Sequence, residues 1–596
     1  MLHILKRHKY VLGINDGHLA TAALLKDGKI VACVSEERFT GIKNQAGIPN
    51  KSIDYCLRSA NITPADVDLV VFGGKLLPPT TQQTGMESKS YDIVYSLIKP
   101  PLILARHLSV YLPVFRNIEE SLYPFVSKII EPFVQDKRIK RLTQTYKFNR
   151  KKIIFLDHHL SHAYTVLYSS GFIQKNEPLL IFTCDGEGDG LSSTVNIFKN
   201  GKLKTTSKSS MTNSVGNLYR SITKYLGMKP LEHEYKVMGL AAYVSDPKAE
   251  EIYEALKRYF WIDKKSLQIK TGINSQLFKM GYLDKLLKNK RFDNISYAVQ
   301  KITESILIEW VESTIRKTKI GNVLLSGGVF MNVKANQKIS EIKGLKDIYI
   351  MPSCGDESNA IGAAYWGYKN LTRKNPLPLE NLYLGPEYSE EEIKRELRKY
   401  KSNKFKISKP SNMAKVTAAL IKKGNIVARF SGRMEWGARA LGNRSILADP
   451  INLEVVQEIN KAIKCRDFWM PFAPVIMRSY QNKYISNPKN IEAPYMIITF
   501  NTTDEGKKDL AAAMHQYDKT VRPQVIDKKT NPKYYLILEE FSKLTRRYGL
   551  LNTSFNLHGF PIVGSPKDAL YTFSNSGLKY LEIGNYLVKK FQEIKI

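Results

Sequence analysis

The chain lacks the marks of several protein classes. Its five cysteines are scattered, odd in number and form no CxxC pair, which argues against a disulfide framework and for reduced thiols. No stretch approaches the roughly 20 apolar residues that span a bilayer, and the apolar part of the N-terminus is too short for a secretory signal. No GxxxxGK[ST] motif occurs, so P-loop chemistry is disfavoured. We therefore expect a cytoplasmic protein.

Acidic residues are scarce relative to basic ones in this chain of 596 residues. There are 56 Asp and Glu against 90 Lys and Arg, and the net charge is +34. Lysine is spread along the whole chain, so both polyanion binding and a lysine-rich compositional bias remain open readings. The length is too great for one core, and two or three domains are expected.

The run HHLSHAY at residues 158–164 concentrates histidine. His158 and His162 are spaced i, i+4, so on a helix they share one face and suit a metal ion. Asp185, in CDGEGDG, and Asp356, in CGDESNA, would add hard oxygens. Two histidines with two carboxylates favour iron(II), manganese or zinc over calcium or magnesium, whereas the alternative is a pair of buried structural histidines. His159 points elsewhere and is expected to support the ligands.

Residues 11–31 and 180–203 form a divergent internal repeat. Each begins with an apolar strand, reaches an Asp-Gly turn, passes through small residues into a second strand and ends at a hairpin signal. The turns are Asp16-Gly17 and Asp185-Gly186, and the hairpin signals are Asp27-Gly28 and Asn200-Gly201. The repeat predicts an α/β fold: a duplicated ribonuclease-H-like domain that binds a ligand in the cleft between its halves. The alternative is that the two hairpins resemble each other by chance.

Other loops of this region carry candidate functional groups. His18 follows the first Asp-Gly turn and is a natural base for an acceptor hydroxyl, although a lone loop histidine is often incidental. Gly327-Gly328 and Gly355-Asp356 each follow an apolar strand and precede a helix. Ligands of α/β folds bind at such loops.

The polar, proline-containing stretch 368–390 predicts a domain boundary. We expect one domain over residues 1–375 and a second α/β domain over residues 376–596. Residues from about 75 to 150 mix apolar helical stretches with a basic tail and are interpreted as a helical insertion. It would be a solvated cap, or a lid that recognises the acceptor or contacts a membrane surface.

The second domain contains an arginine-rich loop, FSGRMEWGARALGNRSILADP, at residues 430–450. Such loops present guanidinium groups and backbone amides to phosphate oxygens, although surface arginines are often simply solvated. The candidate anion-binding residues are Arg433, Arg439, Asn443, Arg444, Ser445, Lys464, Arg466, Arg522, Asn552, Ser554 and Asn556.

Taken together, these motifs resemble the O-carbamoyltransferases of the NodU/CmcH/TobZ family over most of the chain, excluding much of residues 75–150. The resemblance is carried by EERF, HHLSHA, EYKVMGLAAY, SGGVFMN, CGDESNAIGAA, GRMEWGARALGNRSILADP, MPFAP and LNTSFN, in this order. It implies an N-terminal domain of the actin/HSP70/sugar-kinase-like (ASKHA) class and a YrdC-like C-terminal domain.

The resemblance also implies the reaction. The C-terminal domain would form carbamoyl-AMP from carbamoyl phosphate and ATP, with magnesium accompanying the ATP. The N-terminal domain would transfer the carbamoyl group to a hydroxyl of a small molecule or glycan. The alternatives are a tRNA-modifying threonylcarbamoyl-type enzyme, a nucleic-acid-binding protein and a non-catalytic nucleotide-binding partner. No stable nucleic-acid partner is expected, and a homodimer is compatible with the family.

The resemblance assigns roles residue by residue. It implies iron at His158, His162, Asp185 and Asp356, and it places His18 beside the acceptor hydroxyl. The nucleotide-contacting candidates of the N-terminal site are Lys236, Gly239, Gly327, Gly328 and Asn332, and Arg439 and Arg444 are the catalytic candidates of the C-terminal site. Three segments depart from the family pattern: the first loop, INDGHLAT, the pair Glu357-Ser358 after Asp356, and CDGEGDG, whose extra carboxylate bears on the metal preference.

Overall fold

The computed structural model describes residues 8–76, 104, 108, 112, 114–244, 246–279, 281–400 and 404–591. They belong to two compact units. The first comprises Met1–Glu36 and Asn44–Glu380, and the second comprises Glu37–Lys43 and Asn381–Ile596. The division after Glu380 lies close to the expected boundary at residue 375, but the segment Glu37–Lys43 joins the second unit.

The first half of the first unit contains a five-stranded sheet in the order β3-β2-β1-β4-β5. Strand β1 pairs antiparallel with β2 and parallel with β4, and β4 pairs parallel with β5. The strands are β1 (Tyr10–Asn15), β2 (Thr21–Lys26), β3 (Lys29–Ser35), β4 (Leu69–Gly73) and β5 (Ile153–Leu156). Every residue of β1 is buried, as expected of a central strand covered on both faces.

The second half repeats this arrangement with the order β8-β7-β6-β11-β12. Here β6 pairs antiparallel with β7 and parallel with β11, and β11 pairs parallel with β12. The strands are β6 (Leu179–Gly188), β7 (Leu191–Lys199), β8 (Lys202–Ser210), β11 (Asn322–Ser326) and β12 (Asp347–Ile350), and the hairpin β9 (Phe260–Asp263) with β10 (Gln268–Thr271) forms a separate ribbon. The same order and directions in both sheets confirm the predicted duplicated fold.

The helices of the first unit surround these sheets. They are α1 (Asn50–Ser59), α2 (Val114–Tyr146), α3 (His158–Ser169), α4 (Val215–Tyr225), α5 (Glu234–Ala241), α6 (Lys248–Lys257), α7 (Gln276–Lys279), α8 (Leu283–Leu287), α9 (Phe292–Thr318), α10 (Val333–Ser340) and α11 (Asn359–Thr372). Helix α2 provides most of the described part of the expected insertion, whose residues 77–103, 105–107, 109–111 and 113 lie outside the described part.

Small residues let helix α11 approach the first sheet and α3 at backbone distance. A Cβ on Gly13 would lie 1.9 Å from the carbonyl oxygen of Ala360, and one on Gly362 would lie 1.9 Å from that of Ser161. No side chain larger than hydrogen fits at either position. This close packing brings the start of α11, which follows Asp356, beside α3 and its histidines.

The second unit is built on a mixed eight-stranded sheet in the order β13-β22-β21-β14-β15-β20-β16-β19. Its strands are β13 (Phe405–Ser408), β14 (Val427–Phe430), β15 (Arg444–Ala448), β16 (Ala473–Met477), β19 (Gln524–Ile526), β20 (Gly549–Ser554), β21 (Tyr580–Ile583) and β22 (Tyr586–Lys590), and β17 (Phe500–Asn501) pairs with β18 (Thr520–Val521) apart from it.

Helices complete the second unit. They are Glu37–Thr40, α12 (Glu390–Lys399), α13 (Met413–Lys422), α14 (Glu454–Ile459), α15 (Gln481–Tyr484), α16 (Asp504–Asp509), α17 (Pro532–Thr545) and α18 (Pro566–Ser574). Within the described part of the chain, none of the helices in either unit combines the length and apolar character needed to cross a bilayer.

Candidate functional site

Four predicted ligands converge in the first unit. His158 and His162 lie one turn apart on α3, which begins where the Asp157 carboxylate accepts a hydrogen bond from the backbone of Leu160. Asp185 lies in the last part of β6, and Asp356 lies in the loop after β12. One ligand atom from each of the four residues lies within 4.8 Å of every other.

The imidazoles of this cluster face carboxylate oxygens. Nε2 of His158 lies 3.5 Å from Oδ1 of Asp356 and 3.8 Å from Oδ2 of Asp185. Nε2 of His162 lies 3.2 Å from Oδ2 of Asp185 and 3.6 Å from Oδ1 of Asp356. These separations are those of atoms that surround a common centre.

The electrostatics of the cluster fit a cation. Burial disfavours the charged imidazole of His158, but Asp356 and Asp185 outweigh this effect and raise its pKa to about 10. Burial raises the pKa of Asp185, but the two imidazoles outweigh it and hold that pKa well below its usual range. Nε2 of His158 and Oδ1 of Asp356 are buried and accept or donate no hydrogen bond. Such orphaned atoms cost free energy unless a ligand satisfies them, so the residues present fit a transition-metal ion.

His159 lies beside the ligands without joining them. Its Nδ1 lies 2.8 Å from the hydroxyl oxygen of Thr183. Burial, together with the neighbouring His158, lowers the pKa of His159 to about 3. A neutral, buried imidazole that packs against a metal ligand fits the supporting role expected for it.

The glycine loop after β6 is shaped by the histidine that it faces. A Cβ on Gly188 would lie 2.1 Å from Cδ2 of His158, so only glycine admits the imidazole there. The Asp189 carboxylate accepts hydrogen bonds from the backbone amides of His158, Lys75 and Leu76, each at 2.8 to 2.9 Å. Asp189 therefore ties the start of α3 to the segment after β4.

The helix of the insertion holds the first Asp-Gly turn in place, a contact that the sequence did not predict. Nε and Nη2 of Arg138, on α2, donate to the two carboxylate oxygens of Asp16 at 2.8 and 2.5 Å. The two side chains are only 4% and 2% exposed. The guanidinium also donates to the carbonyl oxygens of Gly74 and Lys75. The part of the basic tail that contains Arg138 is therefore buried against the turn that precedes His18.

The structure places His18 on this loop. The side chain is half-buried, and its carbonyl oxygen accepts a hydrogen bond from Asn15 at 2.7 Å. His18 therefore remains a predicted base, positioned by a loop that Asp16 and Arg138 anchor.

The nucleotide-contacting candidates of the first unit divide into two groups. Gly327 and Gly328 lie at the metal cluster: the amide of Gly328 donates to Oδ2 of Asp185 at 3.2 Å, and a Cβ on Gly327, with φ +103°, would lie 2.3 Å from the carbonyl oxygen of Cys184. The others lie on helices. Asn332 caps α10 and exchanges hydrogen bonds with Gln300, whereas Lys236 and Gly239 lie on α5.

A second group of predicted residues converges in the second unit. Lys464 is 3% exposed, and its ammonium donates to the side-chain oxygens of Ser554 and Asn556 at 3.1 and 2.7 Å. Arg466 donates to the hydroxyl of Thr553 at 3.1 Å. The end of β20 and the residues directly after it thus hold both cations, because residues 553–556 supply the acceptors.

The cations of this cluster repel one another. Burial, and then Arg439 and Arg466, lower the pKa of Arg522 well below its usual range. Burial, and then Arg466, lower the pKa of Lys464 in the same way. A bound anion would relieve both effects, since it compensates desolvation and like-charge repulsion together. We call Arg439, Lys464, Arg466 and Arg522 the cation cluster.

Arg444 and Arg433 stand apart from the cation cluster. The Arg444 guanidinium is fully buried over the ring of Phe430 and donates to the carbonyl oxygens of Ser431, Gly432, Asn443 and Pro386. Burial lowers its pKa to about 10. Arg433 donates to the carbonyl oxygens of Leu384 and Gly385. These contacts shape the loop around both arginines, and the catalytic role of Arg444 stays a prediction.

The polar neighbours of these arginines have structural partners as well. Asn443 accepts from Arg429 and Asn531, the hydroxyl of Ser445 accepts from the amide of Gly442, and Asn552 donates to the carbonyl oxygen of Ala440. The loop is organised by Glu435, a residue that sequence reasoning missed. Its buried carboxylate accepts from the backbone amides of residues 441, 443 and 444.

Two family models match the chain. Residues 10–365 match the model described as "Carbamoyltransferase N-terminus", and residues 418–590 match "Carbamoyltransferase C-terminus". Together the two models describe carbamoyltransferases, the class of enzymes that transfer a carbamoyl group. The chain belongs to this carbamoyltransferase family, as the sequence motifs predicted.

Relatives match over nearly the whole chain. An uncharacterized protein of Methanocaldococcus jannaschii is 32% identical over 97% of this chain and 99% of its own length. The nodulation protein NolNO of Sinorhizobium fredii is 30% identical over 96% of this chain and 79% of its own. Among solved structures, full-length HypF in its phosphate- and nucleotide-bound form covers 62% of this chain and 47% of its own at 13% identity, with a TM-score of 0.31, a likeness too slight to carry an argument.

Proposed function

We propose that this carbamoyltransferase is an O-carbamoyltransferase that uses ATP and carbamoyl phosphate in two steps. The observation that carries the proposal is the coexistence, in one family member, of a partly buried cation cluster and a His2Asp2 metal-type cluster, each in its own unit. Anion-binding cations suit the formation of a phosphate-bearing intermediate, and the metal-type cluster suits its consumption.

The first step belongs to the second unit, for which we propose the YrdC-like fold. Carbamoyl phosphate loses phosphate to water, and the carbamate oxygen attacks the α-phosphorus of magnesium-bound ATP. Carbamoyl-AMP forms and pyrophosphate leaves. Lys464, Arg466 and Arg522 are cations held in a low-dielectric environment, where they stabilise the negative charge of the reacting phosphates more strongly than in water. Arg439 lies close enough to Arg522 to share this role.

The second step belongs to the first unit. An acceptor hydroxyl attacks the carbamoyl carbon, the carbon–oxygen bond to AMP breaks, and AMP leaves as the carbamate ester forms. His18 removes the hydroxyl proton. His158, His162, Asp185 and Asp356 would hold a metal ion, for which iron(II), manganese or zinc fits the donors, and such an ion supplies positive charge to the nucleotide phosphate or the reacting carbonyl.

Adenylation activates the carbamoyl group for transfer. The nitrogen of a carbamoyl group donates electron density into the carbonyl, so the carbon is a poor electrophile. A mixed anhydride with AMP provides a good leaving group. Because this anhydride is labile in water, making and consuming it within one chain would limit its loss to hydrolysis.

The proposal is tested by separating the two steps without knowing the acceptor. The full-length protein is incubated with labelled carbamoyl phosphate and magnesium-ATP, and pyrophosphate and carbamoyl-AMP are quantified in a single turnover. Lys464→Ala should abolish carbamoyl-AMP formation. His158→Ala should leave it intact, and should reduce bound transition metal measured by plasma mass spectrometry.

Matched variants control for general damage. Arg478 is a partly exposed arginine that pairs with Glu492, and Arg478→Ala should behave as wild type in both measurements. If wild type releases no pyrophosphate from ATP in the presence of carbamoyl phosphate, the adenylation step is wrong. If His158→Ala retains full metal content, the metal assignment is wrong.

A further inference from the structure

Helix α2 has an inner face that packs on the first unit. Glu119, Val134, Arg138 and Leu142 are all less than 9% exposed, and the last three recur at intervals of four residues. Glu119 accepts a hydrogen bond from Asn274 at 2.7 Å. Because this face packs on the first unit, the opposite face of the helix points away from it.

The outer face of α2 carries a stripe of large apolar side chains. Leu122, Phe125, Ile129 and Phe133 follow one another at helical spacing and are 45%, 66%, 50% and 75% exposed. The stripe extends about 17 Å along the helix. Scattered exposed apolar residues are common, but an ordered row that includes two phenylalanines marks an interaction surface.

The carboxylates of α2 are all engaged within the protein. Glu120 accepts from Thr212 and Asn213, Glu131 accepts from Gln135 and lies 3.7 Å from Lys75, and Asp136 pairs with Lys140 and Arg150. Among the basic side chains, Lys128 lies within the span of the stripe and is exposed, as are Lys147 and Lys151, which follow the end of the helix. The outer face therefore presents apolar groups flanked by positive charge.

We infer that the outer face of α2 docks on an anionic lipid membrane. An apolar stripe edged by lysines, without available carboxylates, matches the interface between lipid headgroups and acyl chains. A second copy of the chain is disfavoured as the occupant because each copy carries a net charge of +34. Charge complementarity thus selects a membrane with anionic headgroups.

Docking would bring the metal-type cluster to the membrane. Glu120 contacts Thr212 and Asn213, directly before Ser214, whose hydroxyl donates to the carbonyl oxygens of Asp185 and Gly186. The ring of Tyr123 fills the space that a side chain at Gly190 would occupy. The helix that carries the apolar stripe therefore contacts the loops that present Asp185.

Sedimentation of the full-length protein with vesicles tests the inference. One set contains phosphatidylcholine alone, and the other contains phosphatidylcholine mixed with phosphatidylglycerol. The protein should sediment with the mixed vesicles, and less so when NaCl rises from about 0.1 to about 0.5 M, because salt screens the lysines. Phe125→Ser/Phe133→Ser should weaken binding by about tenfold or more, since each phenylalanine loses apolar burial.

Phe292→Ser is the matched control, because Phe292 is 54% exposed in the same unit and lies outside α2. It should bind vesicles as wild type does, and circular dichroism and the thermal midpoint should show that both variants fold. The inference is overturned if wild type ignores anionic vesicles, as it would if another part of the chain covered the stripe. It is also overturned if Phe125→Ser/Phe133→Ser binds anionic vesicles as wild type does. A wild-type dimer in analytical ultracentrifugation that this double variant abolishes would likewise overturn it, because the stripe would then contact a second copy of the chain.

Discussion

Replacing Arg138 with methionine should lower the free energy of unfolding of the first unit by more than the substitution of an exposed side chain does. The substitution keeps much of the apolar stem but removes the guanidinium that pairs with Asp16. It also removes the donors to the carbonyl oxygens of Gly74 and Lys75, and the cation that stacks 4.5 and 4.8 Å from the ring centres of Phe72 and Phe155.

The magnitude follows from the burial of the pair. With both side chains less than 5% exposed, the substitution leaves the Asp16 carboxylate uncompensated in the interior, which costs about 3–5 kcal/mol. Asp16→Asn should also destabilise, because it leaves the guanidinium unpaired. The double variant should cost at least about 2 kcal/mol less than the sum of the two, since removing both charges avoids the isolated one.

Urea unfolding provides the assay. Tryptophan fluorescence reports on the first unit through residues that include Trp310, which is fully buried on α9, and on the second unit through Trp436 and Trp469, whose transition serves as an internal reference. Lys140→Met is the control, because Lys140 lies on the same helix but is 64% exposed in its pair with Asp136. Its unfolding midpoint should match wild type. The activity of Arg138→Met should fall in carbamoyl transfer, because His18 shares the anchored loop, while carbamoyl-AMP formation should persist.

Two results would refute this reasoning. If Arg138→Met unfolds at the same urea concentration as Lys140→Met, the buried pair does not contribute as argued. If the effects of Arg138→Met and Asp16→Asn simply add, the two side chains do not act as a pair.

Two further predictions concern a glycine and a buried lysine. Gly188→Ala should lower metal content and carbamoyl transfer, because its Cβ would displace the His158 ring. The control is Gly186→Ala, whose Cβ would have its nearest neighbour at 3.6 Å, and it should retain both. Equal metal contents of the two variants by plasma mass spectrometry would contradict the steric argument. Burial lowers the pKa of Lys590 to about 8 from an ordinary 10.5, so the unfolded chain binds more protons between these values and stability should rise with pH across that window. Lys590→Met should flatten this rise in the thermal midpoint, and an unchanged slope would exclude Lys590 as its source.

The metal-type cluster was predictable because its geometry is largely local. The i, i+4 spacing of His158 and His162 sets their common face as soon as α3 forms. Asp185 lies in the last part of β6 and Asp356 follows β12 of the same sheet, and the ends of such strands meet at one edge. The repeat of strand, Asp-Gly turn and hairpin likewise predicted the duplicated sheets.

Long-range partners were not predictable from the same patterns. Arg138 looked like one basic residue in a solvated tail, yet it reaches Asp16 across 122 positions. Arg444 and Arg466 looked alike in sequence. The fold buries Arg444 among backbone carbonyls and places Arg466 in the cation cluster. The spacing of these arginines carries no information about which of them becomes buried.

The sequence by itself determined the family, the duplicated fold and the identity of the metal-type residues, because periodicity and motif order are properties of neighbouring residues. Only the tertiary structure decided which cations gather in the second unit, which arginine is buried among the carbonyl oxygens of its loop, and which face of α2 stays exposed. These outcomes depend on burial and on contacts between distant segments, and both come into being only when the chain packs.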